Sequence, residues 1–428
     1  MKLPYAEVAF DKKGREIDGA DRERLDELLA HTHPTDLIVI SHGWNNTHGQ
    51  ARALYERFID SLVAVRPQVD GAATRRFVVV GMLWPSILWA PAESDGAGAG
   101  VGGEEEALIA DIRARVDDED AAAELIALVP QLETSGDAQK RFVDVLRATL
   151  PDSSEGEDAA GFEALRTADA ADVLDAARAL EEEQAAPAAV GGAAVIDPAG
   201  LSPLDSGGPG GGAGLFDSIL RAGRGLVNVT TYYTMKERAG VVGARGFAPL
   251  LGHLHEEAPA ARIHLVGHSF GGRAVTAAAL ASTAPVASLS LLQAAYSHFG
   301  MARAYDDTGA DGAFAGVPEK VRGPVIITHT VNDKAVGLAY PVASRLARQI
   351  GVGLGDAADP YGGIGRNGAL KTPGATTADL GDVGATYALA AGRVTSLRAD
   401  RYIGDHSDVT GREVAYAVLC AVMSASAP

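Results

Sequence analysis

Six short, almost unbroken apolar runs constrain the fold of this 428-residue chain more than any other feature. They are DLIVIS (36–41), FVVVGMLW (77–84), IHLVG (263–267), ASLSLLQ (287–293), PVIITHTV (324–331) and RVTSLRA (393–399). A half-exposed strand alternates apolar and polar residues, so runs this continuous fit strands covered on both faces. Helical patterns separate several of them, such as 50–66 and 271–283. That alternation predicts a wound α/β sheet, mostly parallel and flanked by helices. At the N-terminus, YAEVAFDKKGREI predicts a hairpin turning at Lys13-Gly14 and forming an antiparallel edge.

The gap between Trp84 and Ile263 is too long for one crossover. Its last part, 215–257, reads as two helices, the first with Phe216, Ile219, Leu220, Val227 and Val229 on its apolar side. Upstream, helical spacing recurs at Leu108, Ile109, Ile112 and Val116, at Phe142, Val145 and Leu146, and at Phe162, Leu165, Val173, Leu174, Ala177 and Leu180. Residues 186–214 are rich in Gly, Pro and Ala without either periodicity. The expected organisation is an α/β core from 1–91 and 215–428, a helical cap inserted at 92–185, and a flexible linker at 186–214.

Charge marks the same insertion. The chain carries a net −19. Between Ala92 and Leu215, 27 acidic residues stand against 7 basic ones, whereas the rest nearly balances with 29 against 30. So acidic a chain is not expected to bind nucleic acid. No apolar stretch follows Met1-Lys2, and no run reaches the roughly 18 apolar residues of a spanning helix, so neither a secretory leader nor a membrane segment is expected. The one cysteine, Cys420, lies in the apolar run VAYAVLCAVM, where it reads as a core thiol. With no disulfide possible within the chain, a cytoplasmic location is expected.

The chemistry-bearing stretch is ARIHLVGHSFGGRAV (261–275). With 51 glycines in the chain, a Gly-x-Ser-x-Gly pattern arises by chance about 0.3 times, so context must decide. Here an apolar strand precedes the motif, and the alanine-rich GGRAVTAAALAST follows it as a helix. A strand turning sharply into a helix presents Ser269 as an exposed nucleophile at a helix N-terminus, where partial positive charge favours an anionic intermediate.

A serine nucleophile needs a base, and the base needs an orienting acid. If the arrangement is that of an α/β-hydrolase, the partners come later in the chain, acid first and histidine last. Of 11 histidines, only His298, His329 and His406 follow Ser269. His329 falls inside an apolar run. His406 lies in a polar loop, RYIGDHSDVTG, after the last strand, and is the candidate base. Asp333, just past the PVIITHTV strand, is the candidate acid, with Asp306 and Asp307 as rivals after the preceding strand. An oxyanion hole would take the backbone N–H of Phe270. Its second donor would be the N–H of Trp44, or of Asn45, in the glycine-containing turn SHGWNN after the 36–41 strand. Asn45, His268, Tyr361 and Asn367 are candidate substrate-lining residues, with Arg366 beside them. HTHP (31–34) has no third ligand nearby and reads as a loop; no metal and no cofactor is expected.

Taken in order, SHGWNN, GMLWPS, GHSFGG, NDKAV and GDHSDV resemble the α/β-hydrolase superfamily. They are most similar to a group of bacterial α/β-hydrolases of unknown function with HGFNN-like, WPS-like and HSMG-like signatures. The resemblance covers roughly 36–86 and 215–428. Trp44 stands where that pattern usually has Phe, and Phe270 where it often has Met. The resemblance implies serine-hydrolase chemistry with Ser269, Asp333 and His406 as the triad, but no substrate. The expected function is hydrolysis of a carboxylic ester or thioester of a small acyl compound. Amide or peptide cleavage and acyl transfer remain open with the same residues, as does a non-catalytic binding module using the acidic cap.

Overall fold

The computed structural model describes residues 3–86, 103–152, 159–185, 215–333 and 362–425. The stretch 186–214 and the candidate Tyr361 lie outside the described residues. The chain divides into two units. One holds Met1–Ser86, Lys236–Val336 and Gly355–Pro428; the other holds Ile87–Met235 and Gly337–Leu354.

The first unit is built on one eight-stranded sheet. Its strands are β1 (Tyr5–Ala9), β2 (Asp36–Ser41), β3 (Phe77–Leu83), β4 (Arg262–His268), β5 (Val286–Leu292), β6 (Val325–His329), β7 (Thr376–Asp379) and β8 (Val394–Arg398). They lie in the order β1-β3-β2-β4-β5-β6-β8-β7, and every pairing is parallel. β2, β3 and β5 are buried throughout, which is why their sequences do not alternate.

Helices cover both faces. On one face α2 (His48–Val65) and the C-terminal Arg412–Ser424 helix pack together, burying Leu54, Tyr55, Phe58, Leu62, Val418 and Val422 over Ile38, Val79, Val266 and Ile326. α2 starts with a capping box in which Thr47 Oγ1 accepts from Gln50 N–H and the Gln50 side chain accepts from Thr47 N–H. α1 (Gly19–Thr32) is capped by Asp18.

The chain turns back at Lys13-Gly14 as expected, with Asp11 N–H on Arg15 O and Ile17 N–H on Ala9 O, but it does not form an antiparallel edge of the sheet. β1 pairs in parallel with β3, and the return arm keeps only one antiparallel bridge, Phe10 with Glu16. The reason is local. Asp11 Oδ1 accepts the N–H groups of Lys13 and Arg15, curling the chain, and Asp18 starts α1 two residues after Glu16. Too little chain remains for a second strand.

The second unit is helical where it is described: α3 (Glu104–Arg115), α4 (Glu119–Leu128), α5 (Gly136–Ala148), α6 (Ala159–Thr167), α7 (Ala170–Ala185) and the greater part of α8 (Leu215–Val242). Leu108, Ile112, Phe142, Leu146, Phe162, Leu165 and Val173 are buried, and the Phe162 ring meets Tyr233 edge-on at 5.1 Å. Arg224 bonds Asp111 at 2.8 Å. The two helices expected over 215–257 run on through a π turn, Gly243–Phe247, into α9 (Ala248–Glu257).

Candidate active site

The winding of the sheet places its functional edge. The chain runs β1, β2, β3 to one side and then jumps back across β2 to β4, so the winding reverses between β2 and β4. At such a switch point the loops leave the strand ends in opposite directions and open a crevice, the usual ligand site of wound sheets. β2 and β4 are in register there, Ser41 opposite Gly267. The turn His42-Gly43-Trp44 and residue Ser269 therefore emerge side by side.

Ser269 sits between β4 and α10 (Phe270–Ala281) with φ 56° and ψ −127°. This is a conformation that L-residues avoid and that persists only where the surroundings dictate it. Here they do. Ser269 N–H donates to Leu292 O at 3.1 Å, and Ser269 O accepts from Ala295 and Gly272. A Cβ on Gly271 would lie 2.3 Å from His42 O, so only glycine lets α10 start against the β2 turn. A Cβ on Gly43 would lie 2.6 Å from Ser269 Cβ and 3.1 Å from its Oγ.

His406, on the loop after β8, places Nε2 2.9 Å from Ser269 Oγ. Its Nδ1 lies 2.8 Å from Asp333 Oδ2. The Asp333 carboxylate is fully buried and the His406 side chain is 14% exposed. Nδ1 can only donate to the carboxylate, so Nε2 of the neutral ring accepts from the serine hydroxyl. The rivals Asp306 and Asp307 are exposed, and Asp306 Oδ1 is occupied by its own loop, at Thr308 N–H and Ala310 N–H.

Two residues that sequence reasoning gave no such role hold the Asp333 turn. Asp400 Oδ1 accepts from Thr330 Oγ1 and Val331 N–H, and Arg366 Nη1 donates to the carbonyls of Val331 (2.7 Å) and Asp333 (3.0 Å). Asn332 Nδ2 adds bonds to Asp400 O and Ile403 O, tying this turn to the loop that carries His406. No motif flags Asp400, because its job exists only where two distant turns meet.

The turn after β2 is fixed by His42. Trp84 N–H donates to its Nε2 at 3.2 Å, so Nδ1 carries the proton and donates to Gly43 O at 2.9 Å. The ring stacks on Trp84, and burial lowers its pKa to about 4, keeping it neutral. Asn45, at φ 58°, spends its N–H on Ser86 O at 3.0 Å. Among the described residues no acceptor takes the Trp44 N–H. The rings of Trp44 and Phe270 lie 5.9 Å apart.

The remaining candidates bond partners other than the Ser269 side chain. His268 is buried, with Nε2 on the carbonyl of His406. Asn367 directs its amide to Nδ1 of the buried His298, 3.0 Å away. Burial lowers His298 to about 4. His329 Nδ1 lies near Arg366 O. His33 is the left-handed C-cap of α1, and among the described residues no group of His, Cys, Asp and Glu is placed to hold a metal. No helix among the described residues is long and apolar enough to cross a membrane.

No family model and no curated protein matches this chain. Among solved structures it is similar to an uncharacterized protein from Pseudomonas aeruginosa, with 10% identity and a TM-score of 0.25. The match covers 100% of this chain and 52% of the other, so the chain spans about half the length of that protein.

Proposed function

We propose that this chain is a serine hydrolase of the α/β-hydrolase type that cleaves a carboxylic ester or thioester through an acyl-enzyme on Ser269. One observation carries the reading. Ser269, His406 and Asp333 form a hydrogen-bonded row at the winding switch point, on a serine whose backbone is strained outward.

The chemistry follows from the bonds. His406 Nε2 takes the proton of Ser269 Oγ as that oxygen attacks the acyl carbon. Asp333 holds the tautomer that leaves Nε2 free to do so and balances the charge of the imidazolium. The carbonyl π pair moves onto oxygen, which would lie between the N–H groups of Trp44 and Phe270. A single donor in such a hole contributes about 3–4 kcal/mol to the transition state. When the intermediate collapses, the C–O or C–S bond breaks and the leaving group takes the proton from Nε2. Water then enters, gives its proton to Nε2 and attacks the acyl carbon; Ser269 leaves with that proton, and the carboxylic acid is released. The neutral, locked His42 supports the reading, since it stiffens the turn that presents Trp44 without placing a second titrating group beside the base.

The test is covalent labelling. A fluorophosphonate should label Ser269, and Ser269→Ala should abolish labelling and lower turnover of an activated ester by about 10⁴–10⁶ with the thermal unfolding curve unchanged. A folded, unlabelled wild-type protein would instead indicate an idle site and a binding role. Wild-type turnover in Ser269→Ala would discard the mechanism.

A further inference from the structure

Around His406 the backbone of 404–408 bonds largely within itself. Gly404 N–H donates to Asp408, and the N–H groups of Ser407 and Asp408 donate to Asp405. Among the described residues, apart from the adjacent turn bond of Val409 N–H to Ser407 O, the bond that ties the backbone of 404–408 to a residue outside that stretch is His268 Nε2 to His406 O, 2.9 Å. His268 is the last residue of β4 and the neighbour of Ser269. The two imidazole rings lie 5.0 Å apart.

We propose that His268 is a positioning residue, whose Nε2–H latches the His406 carbonyl and so fixes the distance from base to nucleophile. The inference rests on the hydrolase reading of Ser269 and His406. Because His268 is bonded covalently to Ser269 and through one hydrogen bond to His406, the reacting pair is joined by a short rigid path. That path does not pass through the long loop after β8.

Chemistry restricts which residue can serve. A carbonyl accepts only from a donor, so Nε2 of His268 carries the proton. Nδ1 is then a bare acceptor, and it is buried without a hydrogen-bond partner among the described residues. The ring must remain neutral, since a second cation 5.0 Å from His406 would oppose formation of the imidazolium. The surroundings ensure this. His268 borders an apolar cavity lined by Ile40, Leu54, Phe58, Val266 and Leu292, and burial lowers its pKa to about 3. A neutral donor that reaches as far as Nε2 is therefore required, which leucine lacks and glutamine supplies.

The experiment pairs kinetics with a readout independent of turnover. His268→Leu should lower kcat by about 10–100-fold through misplacement of the base while leaving KM within about 2-fold. His268→Gln should recover kcat to within about 3-fold, whereas His268→Asn, too short to reach, should behave like the leucine variant. Wild-type kcat in His268→Leu, or a glutamine variant as slow as leucine, overturns the latch. In the wild-type protein, ¹⁵N–¹H correlation of the histidine rings should find His268 as the neutral Nε2–H tautomer; the Nδ1–H tautomer overturns the latch without reference to activity. An Nε2–H tautomer in a protein that fluorophosphonate does not label would retain the latch and discard the hydrolase reading instead.

Discussion

The sheet contains two Ser–His–Asp rows, and they differ in everything except their distances. At one end, Ser269, His406 and Asp333 are linked at 2.9 and 2.8 Å. At the other, Ser288 Oγ lies 2.8 Å from His264 Nδ1, and His264 Nε2 lies 3.0 Å from Asp36 Oδ1. By hydrogen-bond length alone either row would pass as a nucleophile with its base and acid. What separates them is place. Asp36, His264 and Ser288 project from adjacent strands near the starts of β2, β4 and β5, all fully buried and paired in the ladder, just past a shift of register between Ile263 and His264. Arg75 forms an ion pair with Asp36, and Arg262 Nε approaches to 3.3 Å without hydrogen-bond geometry. That row joins three strands and is fully buried. The other row stands on strand ends, on a strained serine beside loop N–H groups.

The sharpest break between the rows is the serine. Ser288→Ala should keep fluorophosphonate labelling and turnover within about 3-fold of wild type, against the 10⁴–10⁶ expected for Ser269→Ala. Equal losses in the two would erase the distinction. The aspartates come next. Asp333→Asn should cost about 10⁴ in turnover by favouring the wrong imidazole tautomer, whereas the same change at the exposed Asp307 should matter little. Asp36→Asn should instead cost about 3–5 kcal/mol of stability, because it leaves the half-buried Arg75 without its anion and the buried His264 without its acceptor, while folded molecules stay active. Denaturant midpoints and per-molecule turnover separate these outcomes, and a reversed pattern would exchange the two roles.

Acid should sharpen the contrast by a smaller amount. His264 is neutral in the fold because burial outweighs the pull of Asp36, and burial also lowers His42 and His298 to about 4. Each has a folded pKa below its unfolded value of 6.5. The stability they contribute is therefore complete above pH 6.5 and is lost as pH falls through their lowered folded values, about 4 for His42 and His298. Below the upper limit each such group should cost up to about 1.4 kcal/mol per pH unit. His264→Phe should remove part of this slope; an unchanged slope would mean that His264 is protonated in the fold.

Salt should give the smallest effect. The acidic excess between Ala92 and Leu215 should favour cationic over anionic esters in kcat/KM at low ionic strength, with the gap closing as the Debye length shrinks to roughly 8–10 Å at physiological salt. Matched trimethylammonium and carboxylate esters measure it. Equal rates at every salt concentration would leave solubility as the only role of that charge.

Much of this was legible in the chain. Continuous apolar runs mark β2 to β6 and β8, because burial on both faces removes the polar positions. The elbow around Ser269 is local: strand, glycine, serine, glycine and alanine-rich helix are neighbours, and the strained backbone follows from their order. β7 escaped, since its TTAD is exposed at every position and carries no apolar run, joining β8 through the backbone ladder and an Asp379–Arg398 ion pair. The N-terminal arm misled in part: its turn at Lys13-Gly14 forms, but β1 enters the sheet in parallel with β3 and the return arm stays short before α1.

The sequence by itself determined which side chains can do chemistry and on which strand ends they sit, because period, turn and charge are properties of near neighbours. Only the tertiary structure decided that His406 meets Ser269 and Asp333 rather than another partner, that Asp400 and Arg366 hold the Asp333 turn, and that His268 bonds the His406 carbonyl. It also decided that Asp36, His264 and Ser288, equally capable by residue type, are sealed between strands. Hydrogen bonds across 73 to 228 residues of chain depend on strand order and register, which no local pattern encodes.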